Sequence, residues 1–128
     1  MHTRSAVAAR WLLGIAFVVF GADGFLHVLP IPAARPPAER FIAAVIETGY
    51  LFPMVKCIEL AAGLLLLANR RVPLALVLLA PLLVVIGSLH VALNPPGIPL
   101  VVILVGLHGF LVARHWPSFR PLVAPTAR

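Results

Sequence analysis

Four stretches of the chain, at about residues 11–29, 51–68, 72–93 and 97–114, are apolar almost without interruption. A helix needs about 20 such residues to cross the hydrocarbon core of a bilayer, and nothing else in the sequence constrains the fold as tightly. A backbone embedded in lipid has no water to bond, so each run must satisfy its own peptide groups as a helix; the alternation that marks barrel strands is absent. Composition agrees, with 62% hydrophobic and 11% charged residues against about 45–50% and about 25% in soluble domains. This excludes a water-soluble monomer and a disordered chain. The lone Cys57 excludes an internal disulfide framework and an internal dithiol cycle, and is expected as a small buried hydrophobe. The expected fold is all-α: a transmembrane four-helix bundle, with residues 1–128 as a single transmembrane domain.

The punctuation between the runs sets the topology. Asn69-Arg70-Arg71 and Asn94-Pro95-Pro96-Gly97 are tight links, so the helices they join are antiparallel neighbours. The longer first connection contains Pro36-Pro37, a segment from Ala38 to Thr48, and Gly49, which predicts a short helix that begins on proline and stops at glycine. Phe41, Ile42, Val45 and Ile46 share one face of it, the pattern of a helix lying at the membrane interface or over the mouth of the bundle. Pro53, Pro73 and Pro99 fall in first turns, where a missing N–H costs little. Pro81 falls inside the third run and should remove the bond to the Val77 carbonyl and bend that helix.

Ten basic residues against four acids give a formal charge of +6. The arginines stand in ones and twos beside apolar runs, so orientation in a lipid bilayer is indicated and nucleic acid is not. Arg4, Arg10, Arg70, Arg71, Arg114, Arg120 and Arg128 collect on one side, Arg35 and Arg40 on the other. That places both termini in the cytoplasm, with Trp11 and Trp116 near the inner interface, Tyr50 near the outer one, and the first run retained as a span rather than cleaved as a leader.

Asp23, Glu59 and Lys56 lie inside these runs. Each ionised side chain near the bilayer centre costs roughly 2.5–3.5 kcal/mol on insertion scales, so they must pair, neutralise or face water. At 1.5 Å per residue, Asp23 is about 9 Å, Lys56 about 8 Å and Glu59 about 12 Å from the outer ends of their spans. His27 follows Asp23 by four residues, Glu59 follows Lys56 by three, and Asn94 follows His90 by four, so three helices offer polar stripes at matching depth. Two readings stand side by side. In one, the groups lock helix order and register; in the other, they line an outer-leaflet cavity with Asp23, His27, Glu59 and His90 as proton-handling catalytic groups and Lys56, Asn94 and His108 as substrate-binding groups. His108, near the midplane, is either a member of that cavity or a histidine bonded to a neighbouring helix. Haem between His27 and His90 is disfavoured because both lie near the surface, and no metal site is expected.

The stretch Phe20-Gly21-Ala22-Asp23-Gly24-Phe25-Leu26-His27, the block from Lys56 to Leu67, and Pro73-Leu74-Ala75-Leu76 leading to His90 resemble the DoxX family of bacterial four-helix membrane proteins. Lys56, Glu59, Gly63, Leu66 and Leu67 carry the most specific part of the resemblance, which extends over nearly the whole chain. It implies an inner-membrane bundle and an oxidoreductase role, since family members include quinone-linked sulfur-oxidation subunits and partners in membrane-bound redox complexes. The functional expectation is a membrane component of a redox system that accepts a quinone head group or a small sulfur species. The alternatives are a non-catalytic scaffold that recruits redox enzymes and a proton-coupled carrier of a small anion. A protein partner or a homo-oligomer is expected in each case; the residues name no cofactor, and quinone is the one such a cavity would suit.

Overall fold

In a computed structural model that describes residues 3–126, Thr3 starts the first helix: its Oγ1 accepts from the Ala6 N–H at 3.2 Å. Helix α1 (Arg4–Leu26) therefore begins before the apolar run expected from about residue 11 and stops short of residue 29. The early start has a local cause, because a side-chain cap satisfies an orphan N–H and carries a polar first turn into the helix. The early end is equally local. His27 adopts φ 53°, and the Asp23 carboxylate accepts from the Val28 and Leu29 N–H groups at 2.7 and 2.8 Å, turning the chain out of the helix before Pro30.

The helix of the first connection, α2 (Pro36–Glu47), starts on its two prolines as expected. Thr48 links it to α3 (Leu51–Leu67): its hydroxyl donates to the Val45 carbonyl at 2.7 Å and accepts from the Leu51 N–H at 3.1 Å. Gly49 takes φ 82° between them, and the two helices meet at 96°. Asn69 and Arg71, both left-handed, reverse the chain into α4 (Val72–Leu93), which runs unbroken through Pro81. A single 3-10 turn (Pro95–Gly97) leads into α5 (Ile98–Arg114). One further helix, α6 (Trp116–Val123), follows beyond the last apolar run. Arg128 lies outside the described residues.

The described residues form an all-helical structure in which α1 packs on α3 and α5, and α4 packs on α3 and α5. Short links make α3 and α4, and α4 and α5, antiparallel; α1 runs antiparallel to α3, with Gly14 against Leu67 and Gly24 against Lys56, and that contact is the most extensive. Three segments, Arg4–Leu26, Val72–Leu93 and Pro95–Arg114, are long and apolar enough to cross a membrane. Helix α3, with 17 residues, stands at the short end of the spanning range, so three to four apolar helices suit a multi-pass membrane protein. Outward-facing residues such as Val84, 70% exposed, and Val102, 63% exposed, are apolar, as lipid contact requires.

Burial is uneven along the bundle. Leu13, Phe17, Leu66, Ala75, Leu76, Leu79 and Leu111 form one cluster toward the end where α1 starts and α5 finishes. Phe119 of α6 joins that cluster and closes this terminal end. Toward the other end, the buried positions include Gly21, Ala38, Glu59 and Val101. Helix α2 rests there against α3 and α4 on Ala38, while Phe41 and Ile46 stay about half exposed.

Candidate functional site

The polar centre of the bundle depends on how closely α1 and α3 approach. Gly14, Gly21 and Gly63 have no side chain to hold the helices apart: a Cβ on Gly63 would sit 2.8 Å from the Val18 nitrogen and 3.0 Å from the Gly14 carbonyl oxygen, and one on Gly21 would sit 3.0 Å from the Leu60 nitrogen. Small residues of this kind let membrane helices pack backbone to backbone. Farther along the same seam, the Lys56 stem lies across Gly24, where an added Cβ would meet its Cγ and Cδ at 2.5 Å.

Lys56 Nζ donates to Glu59 Oε2 at 3.1 Å, with the two side chains 18% and 4% exposed. The ammonium also lies 5.4 Å from the centre of the Phe52 ring, within reach of a cation–π attraction. The pairing expected from the three-residue spacing is thus formed, and the glycine seam seats it against α1.

The other polar residues form separate sets. Asp23 Oδ1 accepts from the backbone N–H groups of Val28 and Leu29 beyond α1, and His27, exposed and left-handed, lies past the helix end rather than on a helical stripe with Asp23. His90 packs against Gly97, and the Asn94 side-chain nitrogen lies 3.3 Å from His90 Nδ1. Asn94 Oδ1 accepts from the Arg35 N–H at 3.2 Å, tying the first connection to the α4–α5 turn. His108 lies within hydrogen-bond distance of the Leu76 carbonyl on α4, 2.8 Å from Nε2, the arrangement of a histidine bonded to a neighbouring helix. Among the described residues, no hydrogen bond or ion pair joins these sets to one another or to Lys56 and Glu59. Matching depth did not bring Asp23, Glu59 and His90 together, because depth along a helix leaves direction around it free. At this level Gly21 and Gly24 of α1 face α3, and Asp23, about 100° from Gly24 and about 200° from Gly21 around the helix, points elsewhere.

Buried side-chain nitrogens and oxygens among the described residues all have partners. Two clefts are apolar in lining. One, of about 240 Å3, lies between α2 and α4 beside Phe41, Ser88 and Leu89. The other, of about 280 Å3, lies beneath α6 and includes His108. Neither is lined by Asp23, Lys56 or Glu59. Cys57 is exposed on the outside of the bundle rather than buried: at about 100° from Lys56, it is turned away from the α1 seam. No group of three or more His, Cys, Asp or Glu side chains gathers among the described residues.

Arg10 has a part that sequence reading missed. Its guanidinium donates to the Leu66 carbonyl and, at 3.2 Å, to the Leu67 carbonyl, capping the last turn of α3, while lying 5.8 Å from the Trp11 ring centre. A cation there complements the negative end of the helix dipole. The signal was present: Arg10, Gly14 and Gly21 stand four and seven residues apart on one helical stripe. Comparison of the chain with models of protein families, with curated proteins and with solved structures finds no match.

Proposed function

We propose that the protein is a four-span component of the bacterial inner membrane, with both termini cytoplasmic, that acts as a non-catalytic scaffold for membrane redox enzymes. One observation carries the scaffold reading. Of the side chains expected to line a catalytic cavity, Asp23, Lys56, Glu59, His90, Asn94 and His108 are engaged with the chain's own backbone or with each other, and the clefts of about 240 and 280 Å3 are apolar. Buried polar groups used in this way fix register and helix order. The orientation follows from the arginines at the terminal end, and the redox association from the resemblance to the DoxX family.

A redox component that itself accepts a quinone head group or a small sulfur species is the second reading. It is favoured by Lys56, whose side chain keeps 18% of its surface exposed beside a buried carboxylate. There an incoming oxygen can compete with Glu59 for the ammonium, and Glu59 can take up or release a proton. Quinone reduction by the purified protein with candidate donors separates the readings. The scaffold reading expects no turnover in wild type, Glu59→Gln or Lys56→Met, and recovery of redox enzymes with the tagged protein from native membranes. Turnover that both substitutions abolish establishes the second reading and removes the first.

A further inference from the structure

The bundle is electrically lopsided. Arg4, Arg10, Arg70, Arg71, Arg114 and Arg120 lie at the terminal end, whereas Arg35 and Arg40 toward the other end are offset by Asp23, Glu39 and Glu47, and Glu59 is paired with Lys56 within the bundle. Arg10 is committed to the end of α3. Arg70, Arg71 and Arg120 are exposed.

Helix α6 gives this cationic end a shape. It packs against α5 through its start and buries Phe119 in the same cluster as Val72 at the first turn of α4. Between α6 and the first turns of α4 it leaves the cleft of about 280 Å3, whose walls include Val77, Ala80, Val112, Trp116 and Leu122. The polar side chain of the cleft, His108, has Nε2 engaged with the Leu76 carbonyl, so the remaining lining suits hydrocarbon. Trp116, 46% exposed, and Leu122, 72% exposed, continue the apolar surface outward from the cleft. About 100° per residue places Arg120 on the flank of the face formed by Trp116, Phe119 and Val123, and Arg71 immediately precedes α4. Arg71 and Arg120 are the exposed sequence neighbours of Val72 and Phe119, which share one buried cluster, and Phe119 lines the cleft. An apolar slot with cations on the adjoining residues, at the level where a helix bundle meets the head groups, matches an acyl chain attached to a phosphate.

We propose that this end of the protein holds an anionic phospholipid, with one acyl chain in the cleft between α4 and α6 and the phosphate against Arg120 and Arg71. The site rests on the chain being a multi-pass membrane protein but not on which side of the membrane the end faces. Charge complementarity selects the occupant. A zwitterionic lipid fills the slot equally well but brings its own cation to the arginines, and a soluble anion leaves the apolar walls unfilled.

Native mass spectrometry of the full chain, released from nanodiscs of equal phosphatidylglycerol and phosphatidylcholine, tests the site. The expected result is a retained phosphatidylglycerol adduct. Its retention should weaken about fivefold with Arg120→Gln and again with Arg71→Gln, given about 1 kcal/mol per arginine near a lipid surface. Ala80→Phe, which fills the slot, should remove the adduct while the arginines remain. Dihexanoyl phosphatidylglycerol, offered to unaltered protein, should bind at least tenfold more weakly than the long-chain lipid, so the slot is tested without any substitution. Equal retention of the two head groups, or equal binding of short and long chains, overturns the proposal. Fractionation of the same cells reads the membrane assignment separately: protein recovered with membranes but indifferent to phosphatidylglycerol refutes the lipid site alone.

Discussion

The same substitution, Gly→Ala, should have opposite signs at two positions in this protein. At Gly63 the added methyl would meet the Val18 nitrogen at 2.8 Å and the Gly14 carbonyl oxygen at 3.0 Å. Both are backbone atoms of α1, in a turn closed by its own hydrogen bonds, so neither can swing aside as a side chain would. Relief requires α1 and α3 to separate, which loosens the contact that seats Lys56 and Glu59. Overpacking of this kind costs about 1–3 kcal/mol, and the rigid neighbours put Gly63 at the upper end. Alanine recovers up to about 1 kcal/mol of helix propensity, leaving a net loss of about 2 kcal/mol. At Gly109 a Cβ would meet nothing within 4 Å, so only the propensity gain of up to about 1 kcal/mol remains. The two variants should therefore differ by about 3 kcal/mol in reversible unfolding by dodecyl sulfate in mixed micelles, followed by far-ultraviolet circular dichroism. Equal midpoints for Gly63→Ala and Gly109→Ala would refute the backbone-to-backbone seam.

Lys56→Met should destabilise the bundle by about 3 kcal/mol in the same titration, because it leaves the Glu59 carboxylate buried alone, and adding Glu59→Leu should restore most of the loss. A double variant no more stable than Lys56→Met would show that the two side chains are not energetically paired. Arg10→Met keeps the length of the side chain but removes the cation from the Leu66 and Leu67 carbonyls, for a loss of about 1–2 kcal/mol. The amide protons of Leu66 to Ala68 should then exchange faster, and an unchanged exchange pattern would dissociate Arg10 from the end of α3.

Much of the fold was legible because the dominant constraint is one-dimensional. The link Asn69-Arg70-Arg71 and the proline pair before Gly97 stop and restart helices wherever they occur, and α4 occupies the residues its apolar run marked out. Where the chain departs from that reading, a side chain has intervened at a helix end. Thr3 extends α1 backward by capping it, and Asp23 cuts it short by drawing in two backbone N–H groups. Helix α6 was missed because its eight residues include two prolines and too little apolar length to register as a run. Its signal is the spacing of Trp116, Phe119 and Val123 on one face.

The site was legible only within each helix. Lys56 and Glu59 pair because a spacing of three makes them neighbours on any helix, and His90 meets Asn94 through a spacing of four that the turn at Gly97 preserves. Contacts between helices depend on azimuth, which the packing faces decide, and in α1 the glycines decide it. With Gly14, Gly21 and Gly24 turned toward α3, Arg10 is carried onto the end of that helix and Asp23 is carried away from it. One choice of face thus accounts both for the cap that went unforeseen and for the separation of the Asp23 and Glu59 carboxylates. Glycine, rather than charge, sets which polar groups of this bundle can meet.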